Sequence, residues 1–520
     1  MVTLRGSRLV IAGTGSGVGK TSIALGLVRE LTRRGLRVQT FKVGPDFLDP
    51  TWLAMASGRT CYNLDGWMTS REYVQRLFAR ATADADFALI EGVMGMFDGA
   101  SPSTIEGSTA EIASWLDAPV LLVVPAHGAA RSLAATVKGF AEFEPAAGVS
   151  GVIANQSGSG RHREWLAESL CAAGLPPLVG AVPRGALPEL SNRHLGLVSA
   201  DGENLAPAIL EQLADACREH VDVARVVEMA GKNCLPLPPR ATTGVVPGGE
   251  GLGGRGDGCR EGRRDAKPQF PGAQNPHQPA LTLGHHVSGR SQGESGPEER
   301  VSQNSASRLR LGIARDEAFH FYYPDNLESF DHGGVQWQPF SPLADAALPD
   351  DLDGLYFGGG YPELHAARLA ENRGMLTAIR DFAASGRAIY AECGGLMYLG
   401  RSLTGLDGRR HALAGVLPLD TAMLPRLRTL GYAEVSLTAD CLWGPAGQTC
   451  RGHEFHYSKI TAGDGAAEGW RPAYTVRRRR DADAPEGFAR GNILASYIHL
   501  HWASRPDAIQ NFLSRCEAYA

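Results

Sequence analysis

The chain of 520 residues has nine cysteines but no CxxC pair and no regular cysteine spacing. That absence argues against a disulfide scaffold and a zinc module, and an odd number of scattered thiols fits a reduced, cytoplasmic enzyme. Long apolar runs are missing as well. Nothing approaches the roughly 20 residues that cross a bilayer, so no membrane partner is expected. The apolar stretch in MVTLRGSRLVIAGTG is too short for a signal peptide and runs straight into a glycine-rich loop, so it reads as a buried strand. Charge of one sign is also scarce: 51 basic and 56 acidic residues leave a formal net charge of -5. Without a dominant basic stripe no nucleic-acid partner is expected. The run Arg477 to Arg480 is the one basic exception and reads as a solvated hairpin edge. Internal repeats are absent.

What remains is an ordinary globular composition, 43% hydrophobic and 21% charged, long enough for two or three cores. The N-terminal part alternates strand and helix. Leu9–Ala12, Arg37–Phe41, Phe87–Glu91, Val120–Val124, Val149–Ala154 and Val179–Val182 read as parallel strands buried on both faces. Val120–Val124, the most apolar, is expected as a central parallel strand, and a helix is expected over Lys20–Arg34. From about residue 236 to 307 the chain turns rich in Gly, Pro, Ser and charge, too poor in aliphatic residues to offset its ordering entropy. It is expected to be a disordered linker. Order resumes with strands at Leu311–Ala314, Gly354–Phe357 and Ala388–Ala391, a helix at Arg373–Ser385, and β-rich segments around Leu430–Leu437 and Ile493–His499. The expected fold is therefore two α/β domains, residues 1–235 and 308–520, joined by that linker.

Gly13 to Thr21 reads GTGSGVGKT between a strand and a helix. Gly13, Thr14, Gly15, Gly17 and Gly19 form a loop whose backbone N–H groups approach phosphate oxygens, aided by the helix dipole. Lys20 is expected to neutralise β/γ-phosphate charge and Thr21 to ligate Mg²⁺. The usual GxxxxGK[ST] spacing is broken, since its first glycine falls on Thr14. FKVGPDFLDP (Phe41–Pro50) follows the second strand, where open α/β sheets place ligand loops. Lys42 is expected on phosphate or a substrate carboxylate, and Asp46 and Asp49 on Mg²⁺ or substrate. Glu91 ends a buried strand in IEGVMGMFDG and is expected to hold Mg²⁺, with Asp98 orienting substrate.

Far downstream, YAECGGLMYL (Tyr390–Leu399) puts Cys393 on a small-residue turn after an apolar strand, a nucleophile elbow. Gly394 and the glycines Gly358, Gly359 and Gly360 of YFGGGYPE are expected to form the oxyanion and glutamine pocket. In SYIHLHW, His499 is the expected base for the Cys393 thiol. A phosphate site and an amide-cleaving cysteine together point to ATP-driven amide formation with nitrogen released in the same chain.

The motifs GTGSGVGKT, FKVGPDFLDP, YNLDGWM (Tyr62–Met68), EGVMGMFDG and GSTAEIA (Gly107–Ala113) stand in the order seen in cobyrinic acid a,c-diamide synthases, which the chain resembles. The lengthened phosphate loop resembles the dethiobiotin synthetase type. The chain looks unlike cobyric acid synthase, which lacks the KVGPD-x-LDP loop, and unlike ParA/MinD ATPases, which carry a lysine where Gly15 stands. The Cys393 region resembles a class I glutamine amidotransferase domain. Such domains place a glutamate two residues after the histidine, where this chain has His501, so either His501 or Glu454 is left to support His499. Ala391 also replaces the usual glycine before the elbow. The resemblance spans about Arg8–Gly231 and Leu309–Cys516. It implies an ATP-, Mg²⁺- and L-glutamine-dependent ligase acting on cobyrinic or hydrogenobyrinic acid, a small-molecule tetrapyrrole, with a homodimer left open. Nickel sirohydrochlorin is the alternative substrate, and a P-loop regulator with an inactive glutaminase domain is the alternative class.

Overall fold

The computed structural model describes residues 6–188, 205–231, 309–331, 333–462, 469–479 and 482–519. The expected linker and the domain limits at 235 and 308 lie outside the described residues.

Seven short apolar segments form the first sheet: β1 (Ser7–Gly13), β2 (Val38–Val43), β3 (Tyr62–Leu64), β4 (Phe87–Glu91), β5 (Val120–Pro125), β6 (Val149–Ser157) and β7 (Leu178–Pro183). They pair in parallel in the order β3-β2-β4-β1-β5-β6-β7. Burial on both faces explains why these strands read as continuous apolar runs rather than alternating ones. One face packs Val10, Phe41, Ile90 and Leu122 under helices that include Arg71–Ala81 and Thr109–Trp115. The other packs Leu9, Ile11, Leu89 and Val123 against the helix Lys20–Arg33 and the C-terminal helices of the domain. The expected central strand, Val120–Val124, is β5, interior to the sheet. β1, beside it, occupies the middle, so the phosphate loop leaves the sheet at its centre.

The second domain has three sheets. A six-stranded sheet contains β8 (Arg310–Ala314), β9 (Gln336–Phe340), β10 (Gly354–Phe357) and β11 (Ala388–Glu392). It is ordered β20-β21-β11-β10-β8-β9, where β20 is Phe488–Arg490 and β21 is Ile493–Ser496. A four-stranded sheet joins β12 (Ser402–Thr404), β13 (Arg410–Ala412), β14 (Asp420–Met423) and β17 (Ser458–Ala462). A five-stranded antiparallel sheet orders β19 (Ala484–Glu486), β18 (Tyr474–Arg478), β15 (Thr429–Leu437), β16 (Thr449–His456) and β22 (His499–Leu500). The expected β-rich segment around Ile493–His499 holds two strands, β21 and the start of β22. It breaks after Ser496, and His499 pairs with His453 in a different sheet.

Both α/β domains belong to one compact unit, and the YNLDGWM motif makes much of their contact. Tyr62 donates to Glu328 Oε1 at 2.5 Å, and Asp65 accepts from the Tyr432 hydroxyl at 2.8 Å. Trp67 stacks on Tyr432 at 4.6 Å, and the Arg451 guanidinium lies 5.0 Å from the Trp67 ring centroid. Nearby, Tyr73 donates to Asp325 Oδ2 at 2.6 Å. Burial pushes the Asp325 carboxyl upward, but His501 and Tyr73 outweigh it and hold it below the usual range.

Candidate active sites

The first site forms where β1, β2 and β4 end side by side. Register puts Lys42 opposite Glu91 and Glu91 opposite Ile11, so both charged side chains sit beside the loop that leaves β1. Gly17 and Gly19 adopt φ values of +75° and +95°, which favour glycine. A side chain at Gly19 would collide with Asn155, whose Nδ2 donates to the Val18 carbonyl at 2.8 Å. Asn155 braces the phosphate loop from the end of β6, a role legible only as one more polar residue at a strand end. The Thr14 N–H is spent on the Val123 carbonyl at 3.2 Å, leaving phosphate to the amides that follow. Lys20 Nζ rests on the carbonyls of Gly15 (3.0 Å) and Met94. Burial and the neighbouring Lys42 lower its pKa.

Thr21 Oγ1 donates to Glu91 Oε1 at 2.5 Å, and Lys42 Nζ lies 3.1 Å from the same oxygen and 2.6 Å from Asp49 Oδ2. Burial opposes charge on Lys42, but Glu91 and Asp49 overcome it and raise the pKa. Glu91 itself is pushed up to about 7 by burial, against the pull of Lys42. Its Oε2 is buried with no hydrogen-bond partner among the described residues. A hydroxyl beside an unpartnered carboxylate oxygen suits a hard, oxygen-preferring cation. Asp46 is placed differently from the expectation: its Oδ1 accepts from Leu48 N (2.7 Å) and Asp49 N (3.1 Å), closing the turn that starts the helix Asp49–Ser57. Asp98 accepts from Gly95 N at 2.8 Å in a loop whose Met96 N–H binds the Gly13 carbonyl, so it lies beside the phosphate loop.

The second site is built on β11. Cys393 takes φ 43° and ψ −98°, a strained conformation for a residue with a side chain, at the start of the short helix Gly394–Leu399. Its N–H is fixed to the Ser496 carbonyl at 2.7 Å. Burial and then the nearby Glu363 raise the thiol pKa well above its ordinary value. The glycines divide the work. Gly358 N–H goes to the Tyr322 hydroxyl and Gly395 N–H to the Gly358 carbonyl, so neither is free for an oxyanion. Gly394 and Gly360 approach so closely that a Cβ on Gly394 would lie 3.0 Å from Gly360 N. A side chain on Gly359 would strike the His499 ring, which places the base over the glycine loop.

The residue supporting His499 is corrected by the geometry. His501 Nε2 lies 3.3 Å from Asp325, and Glu454 binds His456 (3.2 Å) and Arg478 (2.6 Å), so neither is the carboxylate at His499. The carboxylate that faces His499 is Glu392, immediately before Cys393, with Oε2 3.7 Å from His499 Nδ1, beyond hydrogen-bond distance. The hydroxyls of Tyr356 (3.0 Å) and Tyr390 (2.7 Å) and the Leu500 N–H (3.1 Å) hold Glu392 in place. His453 stacks on His499 at 5.0 Å and 16°. Its pKa is far below the usual value because of burial and then His499.

The two sites meet at Phe47. From the loop that carries Lys42 and Asp49, its ring stacks on Phe321 at 5.0 Å and 7°, and lies 4.6 Å from Tyr323 and 5.0 Å from His499.

Comparison with known proteins accounts for both halves. Residues 9–198 match the CobQ/CobB/MinD/ParA nucleotide binding domain, and residues 310–507 match the CobB/CobQ-like glutamine amidotransferase domain. A cobyrinate a,c-diamide synthase of Syntrophotalea carbinolica is 51% identical over 510 residues, covering 98% of each chain. Those of Salmonella typhimurium, covering 97% of each chain, and of Leptospira interrogans, covering 98%, are each 36% identical. The chain belongs to the cobyrinate a,c-diamide synthase family. It is thus a glutamine-hydrolysing carbon–nitrogen ligase, a P-loop domain and a glutamine amidotransferase domain in one polypeptide. Among the described residues no helix is long and apolar enough to cross a membrane, and the seven cysteines found there are all free.

Proposed function

We propose that this chain amidates the a and c acetate carboxylates of cobyrinic or hydrogenobyrinic acid, in the cytoplasm, using ATP and ammonia drawn from glutamine. The observation that carries the reading is that one loop serves both sites. Lys42 and Asp49 face the phosphate loop, while Phe47 lies on His499.

A substrate carboxylate oxygen attacks the γ-phosphorus of ATP and the bond to ADP breaks, giving an acyl phosphate. Lys20 and the loop amides hold the phosphates, and Lys42 is poised to neutralise the incoming carboxylate. Thr21 and Glu91 are the residues that would hold Mg²⁺, which supplies charge neutralisation on the phosphates. In the other domain the Cys393 sulfur attacks the glutamine carbonyl as its proton passes to His499, faced by Glu392. The oxyanion meets the Gly394 and Gly360 amides. Collapse expels ammonia with that proton, and water cleaves the thioester to glutamate. Ammonia then attacks the acyl phosphate, expelling inorganic phosphate. Enclosure matters because free ammonia is mostly protonated near neutral pH.

The test mixes the protein with ATP, Mg²⁺ and glutamine and each of cobyrinic acid, hydrogenobyrinic acid and nickel sirohydrochlorin, followed by mass spectrometry. A diamide from either corrin precursor is expected. A diamide only from nickel sirohydrochlorin would reassign the substrate, and no amide from any would overturn the ligase reading.

A further inference from the structure

A cavity of about 1570 Å³ opens beside the five-stranded sheet, larger than the few hundred to a thousand Å³ that small ligands usually occupy. Its walls carry Arg428, Arg451, Arg477, Arg478, Arg479 and Lys459, against the acidic Glu106, Glu434, Glu454 and Glu486. The basic run follows the expectation of a solvated hairpin edge, with Arg477 and Arg479 exposed at the end of the β18–β19 hairpin. Pairing with β19 ends at Val476, so Arg477 and Arg478 pair with β15 alone; Arg477 bridges to Glu434 (3.6 Å) and Asp483 (3.5 Å), and Arg479 donates to the Ala100 carbonyl. Arg480 lies outside the described residues. Arg428 and Lys459 have no ion pair or side-chain hydrogen bond among the described residues.

Two further features narrow the ligand. Leu430 (67% exposed) and Ile460 (37% exposed) stand among these cations, and Trp67 stacked on Tyr432 forms part of the same wall. Apolar side chains left open beside unpaired cations suit a ligand that is a broad apolar plate edged with carboxylates, because each part needs what the other would expose. The cavity also lies between the two chemistries. Gly99, Ala100 and Ser101 on its wall directly follow Asp98 of the phosphate-loop neighbour. On the opposite wall Ser458 binds Tyr497 at 3.0 Å and Met397, four residues after Cys393.

We propose that this cavity seats the tetrapyrrole, with Arg428 and Lys459 gripping acid side chains that are not being amidated while Leu430 and Ile460 cover the macrocycle. The proposal rests on the proposed function.

Equilibrium dialysis of hydrogenobyrinic acid against the full chain, without glutamine, tests it. Arg428→Glu/Lys459→Glu is expected to raise the dissociation constant at least roughly tenfold, and Arg428→Lys to stay within about threefold. ATP binding serves as the control for folding. If the double variant loses ATP as well, the single exposed change Arg428→Gln carries the test, with a rise of about threefold or more expected. Equal binding by wild type and the charge-altered variants would overturn the cavity assignment alone. Failure of wild type to bind any of the three tetrapyrroles, with ATP present, would overturn the proposed function along with it.

Discussion

The ring of Phe47 lies 5.0 Å from the imidazole of His499, although Phe47 stands three residues after Gly44 on the nucleotide-side loop and His499 belongs to the glutaminase. The same loop binds through Lys42 and Asp49 to the carboxylate cluster beside the phosphate loop. Aromatic contacts of this kind contribute roughly 0.5–1.5 kcal/mol, enough for up to about tenfold in rate. Phe47→Ala is expected to lower glutamine-supported synthesis by that factor while ammonium-supported synthesis changes much less. Steady-state rates with each nitrogen source check this. An equal fall with both would mean that Phe47 only shapes the nucleotide site.

Glu392 faces His499 Nδ1 at 3.7 Å, so its charge can orient and stabilise the imidazole on protonation. Its carboxylate already accepts from Tyr356, Tyr390 and the Leu500 amide, so Glu392→Gln keeps the shape and removes the charge. Loss of the charge beside the imidazole is expected to reduce glutaminase kcat by roughly ten- to a hundredfold, with KM for glutamine nearly constant. A change in KM with kcat preserved would instead place Glu392 in glutamine binding.

How much of this was legible in the sequence depends on range. The phosphate loop, Lys42, Glu91 and Cys393 each end an apolar strand, and a reactive residue at such an end is a local signal. Glu392 carries the same signal, directly before Cys393 on AIYAE. It is obscured because a glutamate is expected two residues after the histidine, where His501 instead serves the domain contact through Asp325. Phe47 reads as ordinary loop packing until the second domain is set against it. The Arg477–Arg479 edge is legible because it closes a local hairpin, β18 to β19, whereas its partner across the sheet, β15, is not.

The raised pKa of the Cys393 thiol has a direct consequence. Burial and Glu363 favour the protonated form, so the free enzyme holds little thiolate near neutrality. Alkylation of the Cys393 peptide by iodoacetamide, followed by mass mapping to separate it from the exposed Cys171, is expected to rise roughly tenfold per pH unit into the alkaline range. A plateau below pH ~8 would show a thiol already ionised at rest.

The domain contact should respond to a single hydroxyl. Tyr73→Phe removes one donor from buried Asp325 and leaves His501 as its main partner. A loss of roughly 1–3 kcal/mol is expected by denaturant unfolding near pH 7. Because Asp325 is held below its usual pKa, that stabilisation is present above the unfolded value of 3.8 and is lost as pH falls through the folded one. The difference between variant and wild type should therefore narrow in strong acid, and a gap that persists there would point to packing rather than charge.

The central claim is that nitrogen released at Cys393 reaches the activated carboxylates within the same chain. It is tested most directly with glutamine labelled at the amide nitrogen, in a background of unlabelled ammonium, with ATP, Mg²⁺ and the corrin substrate. The product is expected to carry the label at both new amides, and Cys393→Ser to give the same diamide unlabelled. A wild-type product labelled only in proportion to the mixed ammonia pool would contradict internal transfer, and loss of ammonium-supported synthesis in Cys393→Ser would contradict the separation of the two sites.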